Sequence, residues 1–191
     1  MSFRAIARCE AAWRTWEGGG LQRVVLWQGP GADQAIVAEG AAVVAGPDGY
    51  AARFRVDCDT AWRVRFARIR IAGGAALELH ADGDGRWRDG NGTELAAFSG
   101  CIDIDLQASP LTNVLPIRRT GFTAGQAREF RMVYVAFPSL DIFVDEQRYT
   151  CIEPCRRYLY EAVDGSFSAE LPVDEDGLVL DYPGLFRRVA S

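Results

Sequence analysis

The chain has 191 residues, 26 acidic and 21 basic side chains and a formal net charge of -5, a length that can bury a substantial single core. Its pI near 5.0 excludes a general nucleic-acid binder, which needs a basic surface to release phosphate counterions. An apolar fraction of 49% beside 25% charged residues excludes a chain dominated by disorder. Every basic residue apart from His80 is Arg, and with Ala and Gly so abundant this reads as the codon bias of a GC-rich genome.

In chain order, the N-terminal segment MSFRAIARCEAAW has no apolar run of signal-peptide length, and no segment approaches a membrane span. A cytoplasmic protein without a transmembrane segment is expected. Phe3, Ile6, Trp13 and Trp16 stand loosely at helical spacing, which predicts a helix there. The Ala-rich AAVVA run follows. Beyond it period-2 alternation takes over: Phe54, Val56 and Cys58 alternate with Arg53, Arg55 and Asp57, and Trp62, Val64 and Phe66 with Arg63 and Arg65. The pattern predicts a hairpin with one arginine-rich face, linked through Asp59-Thr60. Its apolar phase slips to Ile69 and Ile71, predicting a β-bulge near Ala67-Arg68.

LELHAD continues the alternation, with Glu78, His80 and Asp82 on the polar face. ADGDGRWRDGNG then offers four Asp-Gly or Asn-Gly pairs suited to hairpin turns. A calcium loop is disfavoured, because Arg86 and Trp87 stand where an EF-hand wants a ligand and a glycine. EFRMVYVAF is apolar on both faces and must be covered on both. QRYTCIE, RYLYEA, FSAELPV and GLVLDY complete about a dozen strands with short links, predicting a mainly β barrel, sandwich or rolled sheet with little helix, as a single domain over 1–191.

The run CIDIDLQASPLTNVLPIRRT, residues 101–120, holds the candidate chemistry. Asp103 and Asp105 are two apart on a strand and share a face. Three readings stand: an acid/base pair as in glycosidases, ligands of a divalent metal, or cross-strand partners of the hairpin arginines. Pro110 and Pro116 argue against a long helix, though one turn fits. Arg118 and Arg119, in extended chain, point oppositely, so one guanidinium turns inward and pairs with the aspartates; Arg118 is the expected partner. Asn113 and Thr112 bond the turn backbone. Trp62, Trp87, Tyr149, Tyr158 and Tyr160 offer apolar faces to a sugar or acyl chain, or serve the core.

His80 stands alone, no Gly-x-Ser-x-Gly elbow exists, and Gly18–Gly20 do not form a phosphate loop. Cys9, Cys58, Cys101, Cys151 and Cys155 lack metal or redox spacing and read as small buried hydrophobes in a reducing compartment. No catalytic residue, metal or cofactor is expected.

GCIDIDLQASPLTNVLPIRR, QRYTCIEPCRRYLYE and DEDGLVLDYPGLFRR, with AWRVR and DGDGRW before them, resemble the bacterial family called putative glycolipid-binding proteins, from about Trp13 to Arg188. Ser109, Leu111 and Val114 depart from that family's more usual Thr, Phe and Thr. The resemblance implies an antiparallel rolled sheet, a spiral β-roll or half-barrel, likened to carriers of lipoproteins and glycolipids. The expectation is a roll that takes a lipid or glycolipid, with Asp103, Asp105, Arg118, Arg119, Arg63, Arg65, Asn113, Trp87 and Tyr149 as ligand-binding residues. AAVVA would leave room inside. A hydrolase of sugar or phosphate esters acting through Asp103 and Asp105, and an interaction module, for instance a homodimer, are the rival readings.

Overall fold

The computed structural model describes residues 2–189; Met1, Ala190 and Ser191, part of the expected 1–191 domain, lie outside the described residues. Strand accounts for 54% of the chain and helix for 7%, in a single-domain fold without a closed barrel. The strands are β1 (Arg8–Thr15), β2 (Gly20–Gly31), β3 (Gln34–Val44), β4 (Tyr50–Cys58), β5 (Val64–Ile71), β6 (Ala76–Ala81) and β7 (Trp87–Asp89). Then come β8 (Asp103–Leu106), a helix α1 (Val114–Thr120), β9 (Ala127–Val135), β10 (Ile142–Glu153), β11 (Arg157–Ala162), β12 (Ser168–Pro172), β13 (Asp181–Tyr182) and β14 (Phe186–Arg188).

The roll is built from two sheets. The first seven strands form an antiparallel meander, and β14 and β13 extend it on the far side of β1, so the C-terminus returns to the N-terminal strand. The second sheet runs β12-β11-β10-β9-β8. Its last pair, β8 with β9, is parallel, the one exception to antiparallel pairing among the described strands. Parallel neighbours need a long crossover, and residues 107–126 supply it with a 3-10 turn at Pro110–Asn113 and α1. Alternation places Trp13, Val24, Leu26, Phe54 and Ile69 of the first sheet in one continuous core with Ile104, Val133 and Leu171 of the second. Gly40 is required by packing: a Cβ there would sit 2.3 Å from the Phe54 ring.

Three local expectations are corrected. The N-terminal segment is not helical: Phe3 and Ile6 lie in irregular chain, and from Arg8 it is strand, with Cys9, Ala11 and Trp13 alternating inward along β1, where tertiary burial of that face outweighs the loose helical spacing. The bulge lies earlier than Ala67-Arg68. Asp57 faces Phe66 while Cys58 faces Val64, which leaves Arg65 as the extra residue. Phe66 therefore points out, its ring tilted against His80 with centroids 5.2 Å apart, and Ala67 and Ile69 take the core side. Finally, Arg118 and Arg119 are helical rather than extended. Pro116 falls in the first turn of α1, where its missing N–H has no carbonyl to serve, and Gly121 ends the helix in the left-handed conformation (φ 59°).

Candidate ligand cavity and buried carboxylates

The crossover explains where the polar side chains of residues 101–120 go. β8 runs from Asp103 to Leu106, and the 3-10 turn and helix then run back along it. Thr112, early on the return, meets the Asp105 end; Arg119, about 10 Å further along the helix at 1.5 Å per residue, meets Asp103. Arg119 Nε donates to Asp103 Oδ1 at 3.3 Å and Nη2 donates to Oδ2, with its guanidinium 5.4 Å from the Phe130 ring centroid. Asp103 is only 1% exposed. Burial pushes its carboxyl above the usual range despite the opposing pull of Arg119. Arg118 turns away. It donates to the carbonyls of Asp176 (2.9 Å) and Arg4 (2.8 Å) and stacks on Trp62 and Phe3. The partner of Asp103 is thus Arg119, and the expected role of Arg118 is corrected to tying α1 to the chain ends.

Asp105 has a different environment. Thr112 Oγ1 donates to its Oδ1 and Gln147 Nε2 to its Oδ2, both at 2.7 Å. The same Nε2 donates to Asp145 Oδ2, also at 2.7 Å. Burial raises the Asp105 carboxyl; hydrogen bonds from Thr112, Gln147 and the Leu106 backbone oppose this, and the Asp145 charge adds to it. Gln147 is itself held in place, since Tyr149 Oη lies 3.2 Å from Gln147 Oε1 and donates to Asn113 Oδ1 at 2.7 Å. Asn113 Nδ2 in turn donates to the Pro110 carbonyl.

Asp105, Asp145 and Asn113 line a cavity of about 840 Å³ between the two sheets. Trp13, Gln22 and Ala42 form its wall on the first sheet, Tyr134, Ala136 and Tyr160 on the second, with Trp16 and Tyr182 beside them. Ala42 belongs to the Ala-rich run expected to leave room, and its small side chain does face the cavity. Asp145, Tyr134 and Tyr182 were not anticipated as site residues. The alternation in IFVDEQ carried the only signal for Asp145: a carboxylate among inward-facing positions of a strand.

The other expected ligand residues lie elsewhere. Trp87 is 1% exposed and donates its indole N–H to the Cys101 carbonyl at 2.7 Å. Tyr149 is buried in the network just described. Arg63 and Arg65 do not reach Asp103 or Asp105. Arg63 pairs with Asp59 and Asp84 at 2.8 Å, and Arg65 with Asp33 at 3.0 Å and Asp59 at 3.7 Å. The expected pairing of the hairpin arginines with Asp103 and Asp105 is therefore corrected; on the polar face of the meander Glu78 instead bridges Arg68 (2.7 Å) and His80 (3.0 Å). Asp82 caps its own turn, accepting from the backbone N–H groups of Asp84 and Arg86, as an Asx turn does. Cys9, Cys58, Cys101 and Cys151 are buried, and Cys155 is half-buried.

Comparison with known proteins agrees with this architecture. A family profile described as "Putative glycolipid-binding" matches residues 10–188. The crystal structure of a DUF1089 family protein from Pseudomonas aeruginosa is similar over 99% of this chain and 96% of that one, at 36% identity and a TM-score of 0.75. No curated protein matches the chain. Among the described residues no helix is long and apolar enough to cross a membrane.

Proposed function

The chain belongs to the putative glycolipid-binding family, and we propose that it binds an amphipathic ligand, a glycolipid, in the cleft between its two sheets. The observation that carries this reading is the cavity itself. At about 840 Å³ it lies within the usual range of small-molecule sites, and it pairs apolar walls with few polar anchors as such sites do. Trp16, Phe137 and Phe167 offer surface to an acyl chain or a sugar ring, while Asp105, Asp145 and Asn113 gather on the wall as acceptors for a polar head.

A hydrolase acting through Asp103 and Asp105 has less support. Asp103 is tied to Arg119 and is not part of the cavity wall, so the two aspartates do not face one substrate position together.

Burying methylenes at about 0.8 kcal/mol each gives an eight-carbon tail roughly 6 kcal/mol before the cost of association. Octyl glucoside should therefore bind with a Kd in roughly the millimolar-to-micromolar range. Calorimetry on the wild type and on Ala136→Phe, which fills the cavity, tests this. Single-site binding abolished by Ala136→Phe is expected; no binding, or equal binding by both proteins, overturns the reading.

A further inference from the structure

The charge of the cavity defines the head group more narrowly, on the premise that the cleft binds an amphiphile. Its wall holds three carboxylates, Glu17, Asp105 and Asp145, and among the described residues no Arg or His, in a chain with 21 basic residues. The four buried aspartates each have a guanidinium: Asp57 has Arg55, Asp59 has Arg63, Asp103 has Arg119 and Asp176 has Arg4, whereas Asp105 and Asp145 are half-buried at the cleft. Asp105 and Asp145 are in no ion pair among the described residues. They share one neutral donor, Gln147 Nε2, at 2.7 Å each, and Asp105 accepts one more neutral hydrogen bond, from Thr112 Oγ1 at 2.7 Å. Both hydrogens of that amide are committed, and both carboxylates line the cleft with no cationic partner among the described residues.

A second observation is independent of the acidic pair. Gln22 is 3% exposed on the opposite wall, and its amide oxygen has no hydrogen-bond partner. Buried acceptors are ordinarily satisfied, so the cleft presents an unmet acceptor from each sheet. The aromatic rings of Tyr134, Tyr160 and Tyr182 are also part of the lining, and aromatic rings attract positive charge through the ring quadrupole.

We propose that the ligand's head group carries a protonated amine, seated between Asp105 and Asp145, with Gln22 offering a further acceptor. The ammonium would take the place that Arg119 takes beside Asp103. The arrangement opposed to this is an anionic head drawn to Arg187, which stacks on Trp16 at 3.8 Å and has an Nε without a hydrogen-bond partner.

Calorimetry on the full chain at pH 7 and 0.15 M salt, with n-octylamine, octyl glucoside and octyl phosphate each below its micelle concentration, decides between them. The amine should bind at least tenfold tighter than the glucoside, with the phosphate weakest. Asp145→Asn should reduce the amine-to-glucoside preference to less than threefold; the wild-type series alone settles the charge preference should that variant fold poorly. Equal binding of amine and glucoside, tightest binding of the phosphate, or a preference untouched by Asp145→Asn overturns the amine assignment and leaves amphiphile binding standing. No binding by any of the three removes the amphiphile reading and the amine assignment with it.

Discussion

Replacing Arg119 by Leu would strand the Asp103 carboxylate, which is 1% exposed and has Arg119 as its ion-pair partner. Removing one member of a buried pair typically costs about 3–5 kcal/mol, because the remaining charge is uncompensated. That is a large share of a total stability of about 5–15 kcal/mol. At roughly 2–4 °C per kcal/mol for a chain of this size, the melting temperature should fall by about 6–20 °C at pH 7. The pH dependence follows from the sign of the shift. Asp103 already has a raised carboxyl, and without Arg119 it rises further. Stability is then fully present below the unfolded carboxylate pKa and is lost as pH rises through the raised folded value. The deficit of Arg119→Leu against wild type should therefore shrink on acidification. Adding Asp103→Asn should recover most of the loss, whereas the same change should not rescue Arg118→Leu, whose guanidinium serves the carbonyls of Asp176 and Arg4. Urea unfolding of the two double-mutant cycles measures this. Additivity of Arg119 and Asp103 to within about 0.5 kcal/mol, or coupling of Asp103 to Arg118 instead, would refute the crossover geometry.

Asp105→Asn should stabilise the protein while weakening ligand binding. The raised carboxyl of Asp105 means that ionisation works against folding, so the gain in melting temperature over wild type should grow between pH 4 and pH 8; a gain that shrinks with rising pH contradicts it. Trp87→Phe removes the buried indole N–H that serves the Cys101 carbonyl and should cost about 1–3 kcal/mol in urea unfolding, with octyl glucoside binding within twofold of wild type because Trp87 is not part of the cavity wall. The buried thiols should resist alkylation by iodoacetamide at pH 8 until urea is added. Burial pushes Cys9 up to about 11 and raises Cys58 and Cys101 as well; rapid labelling of Cys9 in the native protein, read by mass spectrometry, would count against this burial.

The β meander was legible because alternation is a local property: Phe54 and Val56 against Arg53 and Arg55 fix a face without reference to any partner. The charge constellation was not, since it depends on how residues 107–126 return. Read as extended chain, that segment put Arg118 on the aspartates; the 3-10 turn and the seven-residue helix α1 put Arg119 on Asp103. The helix signals were present as Ser109-Pro110 at the start, where Ser109 Oγ accepts from the Leu111 N–H, Arg118 and Arg119 in the last turn, and Gly121 at the stop. The expected anchors Arg63 and Arg65 failed for a related reason. Asp59, between the two strands of the hairpin, captures them locally, and no pattern of alternation states which of several nearby carboxylates an arginine will choose. Asp145 and Gln22 lie on different sheets, and only the packing of one sheet over the other brings them to a shared cavity.

The most direct test of the cleft as a binding site is native mass spectrometry of the wild type and Ala136→Phe, both purified without detergent from cells in which the protein naturally occurs. The wild type should carry a lipid-sized adduct that is released by organic solvent, and Ala136→Phe should lack it. Spectra showing only the polypeptide mass for both proteins, or the same adduct on both, would contradict a ligand held between the two sheets.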